Sequence, residues 1–176
     1  MSNYLVITAV GNDRPGIVND ITKQILESGC NIADSRMTIL GGEFAIILLL
    51  SGNWNAIAKV EDLLPRLGDK LGLSVNCKRT EPRPQKGSLL NYHVDALAID
   101  QPGLVHQVAE FFSSRNINIE SLNTDSYNAA HTGTPMFSIS MTVNIPADQS
   151  IAQIREQYLD FCDALNMDGM MEPVRG

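Results

Sequence analysis

The chain has 176 residues, with 13 Lys and Arg against 20 Asp and Glu, so its formal charge is −7. That length fits one medium domain or two small ones, and 44% hydrophobic with 19% charged residues is ordinary for a globular protein. The acidic balance, with no run of Lys or Arg, opposes a direct grip on nucleic acid, which rests on neutralising phosphates with cations.

In chain order, Tyr4–Val10 reads as a strand, and GNDRPGIVNDI at residues 11–21 leads into an apolar helical pattern predicted over Pro15–Ser28. Strands are predicted at Asn31–Leu40 and Glu43–Ser51, flanking a Gly41-Gly42 turn. A helix is predicted over Asn53–Lys70 and a closing strand over Leu73–Arg79. Pro65 is expected to kink or split that second helix, because it removes a backbone donor and crowds the preceding turn. EPRPQKGS, residues 81–88, reads as an extended linker. Beyond it come a strand over Leu90–Ile99, a helix over Pro102–Arg115, and strands near Ile117–Ser126 and Met136–Ile145. A helix with the stripe Ile151, Ile154, Tyr158, Phe161 and Leu165 precedes a weak last strand around Met167–Val174.

The two halves repeat. With an offset of 87, Asp13 aligns with Asp100, Pro15 with Pro102, Gly16 with Gly103, Asn31 with Asn118 and Ile32 with Ile119. The helical stripe Ile17, Ile21 and Ile25 falls on Leu104, Val108 and Phe112. Each copy reads βαββαβ, the order of a ferredoxin-like unit with two helices on one face of a four-stranded antiparallel sheet. The expected organisation is therefore α+β, with two such units in tandem: residues 1–80, a linker at 81–89, and residues 90–176. Uncovered sheet faces or edges would then be left to pair between units or between chains. Phe44 aligns with Phe137 at an offset of 93, so the second unit gains six residues at its central hairpin, YNAAHTGTP at 127–135. This is either a tolerated surface extension or a lid or partner contact that one repeat alone supplies.

The repeated loop has two readings. As a local device, Pro15 and Pro102 suit a first helical turn, and Asp13 and Asp100 suit N-caps or first-turn anions. As a site, a strand end, a tight turn and a helix N-terminus aim amide donors outward, and Gly16 and Gly103 permit close approach. Asp13 or Asp100 would complement an ammonium group, and the amides of Asn31 or Asn118 would face the same pocket or serve as turn residues. Such a set suits a small zwitterion, an amino acid. Phosphate fits worse: GNDRPG has P-loop glycine spacing, but Ile17-Val18 stands where Lys-Ser/Thr is required.

GGEF at 41–44 is four letters at a turn, and His93, His106 and His131 are dispersed without metal-ligand spacing. No Ser/His/Asp arrangement stands out, so no catalysis, cofactor or metal is expected. Cys30, Cys77 and Cys162 lack CxxC spacing and read as free thiols of a reducing compartment. The N-terminal MSNYLVITAV has no basic n-region, and the longest apolar run, residues 45–50, is too short for a bilayer. A cytoplasmic protein without membrane contact is expected.

D-R-P-G-I-V and D-Q-P-G-L-V at the helix starts, with G-C-N-I and N-I-N-I at the next strands, resemble the ACT domain, a βαββαβ regulatory unit that often binds amino acids at domain interfaces. Two such units alone in a chain of this size, with HTGTPMFSISMTVNIPA at 131–147, resemble the glycine cleavage system transcriptional repressor family. That resemblance implies a bacterial regulator that antagonises a LysR-type activator protein of the glycine cleavage operon by protein contact, with glycine as signal and no direct DNA contact. It also implies ligand sites at Asp13, Arg14, Pro15, Gly16, Ile17 and Asn31, and at Asp100, Gln101, Pro102, Gly103, Leu104 and Asn118. Arg14 is replaced by Gln101 and Asn19 by His106, so the two sites need not take the same ligand. The alternatives are an allosteric ACT subunit of a metabolic enzyme and a scaffold whose loops are only caps.

Overall fold

A computed structural model describes residues 2–83 and 87–175. Residues 84–86 of the expected linker lie outside the described residues. The chain divides into two compact units, Met1–Pro84 and Gln85–Gly176.

The first unit runs β1 (Asn3–Asn12), α1 (Ile17–Glu27), β2 (Asn31–Leu40), β3 (Glu43–Gly52), α2 (Trp54–Leu71) and β4 (Leu73–Thr80). The second runs β5 (Leu89–Ile99), α3 (Leu104–Ser113), β6 (Asn118–Asn128), β7 (Pro135–Pro146), α4 (Ile151–Ala164) and β8 (Asp168–Pro173). Their sheets are antiparallel, in the orders β2-β3-β1-β4 and β6-β7-β5-β8. These are the same topology twice, as expected for two α+β units in tandem.

Alternation along the central strands sends Leu5, Ile7 and Ala9 of β1, and Phe44, Ile46, Leu48 and Leu50 of β3, inward. The α1 stripe Ile17, Ile21 and Ile25 covers them. In the second unit Val94, Ala96 and Ala98 meet Leu104, Val108, Phe112 and Tyr158. Tyr158 is fully buried. Its hydroxyl donates to the Asp95 carbonyl at 2.7 Å, and burial pushes its pKa up.

Pro65 does not split α2, which is continuous from Trp54 to Leu71. The residue lies on the exposed side, where the carbonyl it leaves unbonded can meet water. On the opposite side Val60, Leu64 and Leu67 are held in the core.

Candidate functional site

The loops before α1 and α3 share one geometry. Gly16 (φ 85, ψ −3) and Gly103 (φ 91, ψ −2) are the N-caps, both in the left-handed region that glycine enters without a Cβ penalty. Proline followed by such a glycine makes a type II turn. In the first unit this turn closes with the Ile17 amide donating to the Arg14 carbonyl at 3.4 Å. Each helix therefore starts at Ile17 or Leu104, two residues later than proline placement alone suggests.

The expectation that Asp13 and Asp100 cap these helices is not met, since neither helix has a side-chain cap. Both aspartates precede the turn, and their own amides donate to the facing hairpin, Asp13 to Gly42 (3.4 Å) and Asp100 to Pro135 (2.9 Å). By contrast, α2 and α4 are capped by Asn53 and Ser150. The uncapped starts leave first-turn amides without side-chain acceptors.

The other loop residues divide between structure and solvent. Arg14 folds back onto Asp20 of the first helical turn at 2.8 Å. Ile17 and Leu104 are core residues, while Asp13, Pro15, Asp100, Gln101 and Pro102 are exposed.

A second difference concerns the asparagines. Asn31 pairs with Ser51, which pairs with Tyr4, so it lies on the rung at the start of β1. Asp13 follows the other end of β1. Nine residues of extended chain separate the two ends by about 30 Å. Asn118 and Asp100 stand in the same relation through Asn144 and Asn91. Loop and asparagine therefore do not share a pocket inside either unit. The reason is that β1 and β2 run parallel with β3 between them, so both of their starts lie at one end of the sheet.

The two asparagine rungs differ in chemistry. In the second unit Asn144 is 7% exposed and fully engaged. Its oxygen accepts from Asn118 Nδ2 (3.1 Å), and its amide donates to Asn91 Oδ1 (2.8 Å) and Glu120 Oε2 (3.1 Å). Glu120 is the extra residue of a bulge between Ile119 and Ser121. The first unit has the matching bulge at Ala33, but Ser51 and Tyr4 replace the amides, and Asn31 is exposed.

Beside Asn31 a cleft of ≈ 420 Å³ opens between α1 and β2, walled by Ile25, Leu26, Ile32 and Cys30 and carrying the polar groups of Asn19, Thr22, Lys23 and Asn31. Burial raises the Cys30 pKa, which keeps the thiol neutral. Lys23, the cleft's cation, is not among the residues expected from sequence, because the loop motif points to the opposite helix end. The repeat alignment carries the signal, since the same offset puts Glu110 opposite it in the second unit.

On the outer face of the second sheet, His93 Nε2 lies 3.0 Å from Asp95 Oδ1 and 3.4 Å from Ser140 Oγ. A Ser-His-Asp relay needs its partners on opposite ring nitrogens, so this grouping is not one. Among the described residues no group of three or more His, Cys, Asp or Glu is arranged to hold a metal. No helix among them is long and apolar enough to cross a membrane.

An ACT-domain family model matches residues 3–78. The glycine cleavage system transcriptional repressors of Escherichia coli (strain K12) and Shigella flexneri are each 39% identical over 172 residues, covering 98% of this chain and 90% of theirs. Among solved structures, one assigned to a glycine cleavage system transcriptional repressor superposes with a TM-score of 0.74 at 32% identity, covering 100% of this chain and 99% of that one. A protein of unknown function from Galdieria sulphuraria superposes with a TM-score of 0.80 at 24% identity, covering 99% and 100%, and shares the fold.

Proposed function

The chain belongs to the glycine cleavage system transcriptional repressor family, and we propose that it is an amino-acid-responsive regulator acting through protein contact with a LysR-type activator. The observation that carries the regulatory reading is the likeness to the repressors along 98% of the chain. The contact is assigned to protein rather than DNA because a charge of −7 opposes a phosphate grip. The compartment is the bacterial cytoplasm, and no catalytic step is assigned.

The effector in this reading is glycine or a close relative, and its place is the first unit's α1–β2 cleft. A free amino acid offers one carboxylate and one ammonium. Lys23 supplies the cation for the carboxylate, and the amides of Asn19 and Asn31 supply neutral donors and acceptors. The second unit is poorly equipped to hold such a molecule, because Glu110 stands in place of Lys23 and the Asn118 amide is committed to Asn144. Effector binding changes affinity for the activator only as far as it favours one conformation over another.

Isothermal titration with glycine, and with serine and alanine as size controls, tests this reading. One saturable site per chain that prefers glycine is expected, weakened about tenfold or more by Lys23→Gln or Asn31→Ala, in line with a lost charge-assisted bond. Asn118→Ala should leave it unchanged. Weakening by Asp13→Ala alone would move the site to the helix start. Absence of heat and of any thermal shift with all three amino acids would remove the effector from the proposal, since a ligand of the folded state must stabilise it.

A further inference from the structure

The charge of the chain is not shared between its units. Residues 1–84 hold nine acidic and nine basic side chains, whereas residues 85–176 hold eleven acidic and four basic, so the whole −7 belongs to the second unit. The register then places much of that charge. On the sheet face opposite the helices, Asp125, Ser138, Leu97 and Asp168 form one row. Asn123, Ser140, Asp95 and Met170 form the next, followed by Ser121, Thr142, His93 and Glu172. The face therefore presents four carboxylates, with hydroxyls, the Asn123 amide, Leu97, Met170 and His93 between them and no Lys or Arg in any row. Asp125, Asp168 and Glu172 are exposed and Asp95 is half-buried.

The unit's described arginines near the helices do not serve these carboxylates. Arg115 stacks on Phe111 at 3.8 Å and bonds Gln157, while Arg155 bonds the Met171 carbonyl and lies over Tyr92. At the end of the face, the buried amide of Asn144 holds the Glu120 carboxylate. The equivalent face of the first unit is an internal control built on the same backbone. Its central rows are Ala45 with Val10, Ile47 with Thr8, and Leu49 with Val6, flanked by Asp34, Arg36 and Lys78. That face is apolar and close to neutral. The same fold has thus been given two different outer surfaces.

We infer that the outer sheet face of the second unit is the docking surface for a cationic surface of the DNA-binding activator. The inference rests on the protein-contact part of the proposed function. Charge complementarity selects the occupant: a protein that grips DNA carries a surplus of Lys and Arg, and a broad anionic face whose rows hold no Lys or Arg, with His93 beside Asp95 as their one basic side chain, attracts such a surface and orients it. A small cation is a poorer fit, because the carboxylates are spread over three rows instead of converging on a point.

The test uses the full chain and the purified LysR-type activator of its own glycine cleavage operon. One variant neutralises the face (Asp95→Asn, Asp125→Asn, Asp168→Asn and Glu172→Gln). A second neutralises four acids on the helices of the same unit (Glu110→Gln, Glu156→Gln, Asp160→Asn and Asp163→Asn). Both variants reach the same net charge and differ only in where charge is lost, and circular dichroism checks that each is folded. The expected result is binding by the wild type that weakens with added salt, a loss of about tenfold or more in the face variant, and wild-type affinity in the helix variant. Equal affinity for wild type and both variants overturns the docking face and leaves the proposed function standing. Equal weakening in both variants also overturns it, since bulk charge would then suffice. No binding by the wild type overturns the protein-contact reading itself and this inference with it.

Discussion

Replacing Asn144 by serine gives the second unit the central residue of the first unit's rung, Ser51. Asn144 is buried and makes three hydrogen bonds, accepting from Asn118 and donating to Asn91 and Glu120. Each bond is worth about 1 kcal/mol net, and a partner left unsatisfied in the interior would cost about 1–3 kcal/mol. Asn91, Asn118 and Glu120 are all exposed, however, and can turn to water once Asn144 is gone. The full desolvation penalty is therefore not incurred, and Asn144→Ser should cost about 1–2 kcal/mol, well short of the about 3–5 kcal/mol of a broken buried charge pair. In a unit of this size that lowers Tm by about 5–15 °C. Scanning calorimetry reads the change, and hydrogen exchange in peptides from β5, β6 and β7 assigns it to the second unit. A loss above about 4 kcal/mol would mean the partners are trapped without water. A loss below about 0.5 kcal/mol would mean the network is a surface ornament. Either result refutes the reasoning.

Three further outcomes are expected. Arg79 bonds Glu61 through both carboxylate oxygens at 2.9 and 2.8 Å, and those bonds hold the Glu61 pKa below its ordinary value. A depressed acid stabilises the fold above its ordinary pKa of about 4.3 and loses that contribution as pH falls through the folded value. The urea midpoint read from Trp54 fluorescence should therefore decline in acid less steeply in Glu61→Gln than in wild type, and parallel declines would contradict this. In Gly68→Ala, a Cβ would sit 2.8 Å from the Leu73 carbonyl oxygen and 3.2 Å from Val75 Cγ2. The usual helical gain of about 1 kcal/mol is then outweighed by about 1–3 kcal/mol of overpacking, so urea unfolding should show a net loss, and a stabilised variant would show that β4 can yield. Cys77 is exposed while Cys30 and Cys162 are buried, and since desolvation raises the pKa of all three thiols, access alone separates them. One thiol should react rapidly with a disulfide reagent and two only after denaturation. Three equal rates would be inconsistent with this packing.

The repeat and the fold were legible because both rest on periodicity. The stripe Ile17, Ile21, Ile25 and its copy Leu104, Val108, Phe112 are buried as their spacing requires. The turn chemistry was half legible. Pro-Gly announces a type II turn, but the left-handed glycine itself becomes the N-cap, and an aspartate three residues earlier cannot reach the helix amides as a cap does. Pro65 does not split α2 because the helix is pinned by six buried residues. Asp13 and Asn31 lie far apart within the unit for a topological reason: closeness in sequence to one helix says nothing about which of its ends each residue occupies. Strand order in the sheet decides that, and strand order is a tertiary fact.

What the alignment of the halves did contain was their divergence. Ser51 against Asn144, Tyr4 against Asn91 and Lys23 against Glu110 are visible once the offsets of 87 and 93 are known, yet none acquires meaning until the register places them. In the first unit these positions leave an asparagine exposed beside a cation. In the second they bury the amide of Asn144 and put the carboxylate of Glu110 on α3 where the first unit has the cation. A duplicated fold needs only one copy to keep a small-ligand site, so the other copy is free to change its surface at little cost to its core, because inward and outward positions alternate along every strand. The proposed separation of effector and partner onto different units then has a physical basis. Substitutions that tune one face lie on a different hydrophobic core from those that tune the other, and only a coupling between the two conformational equilibria has to join them.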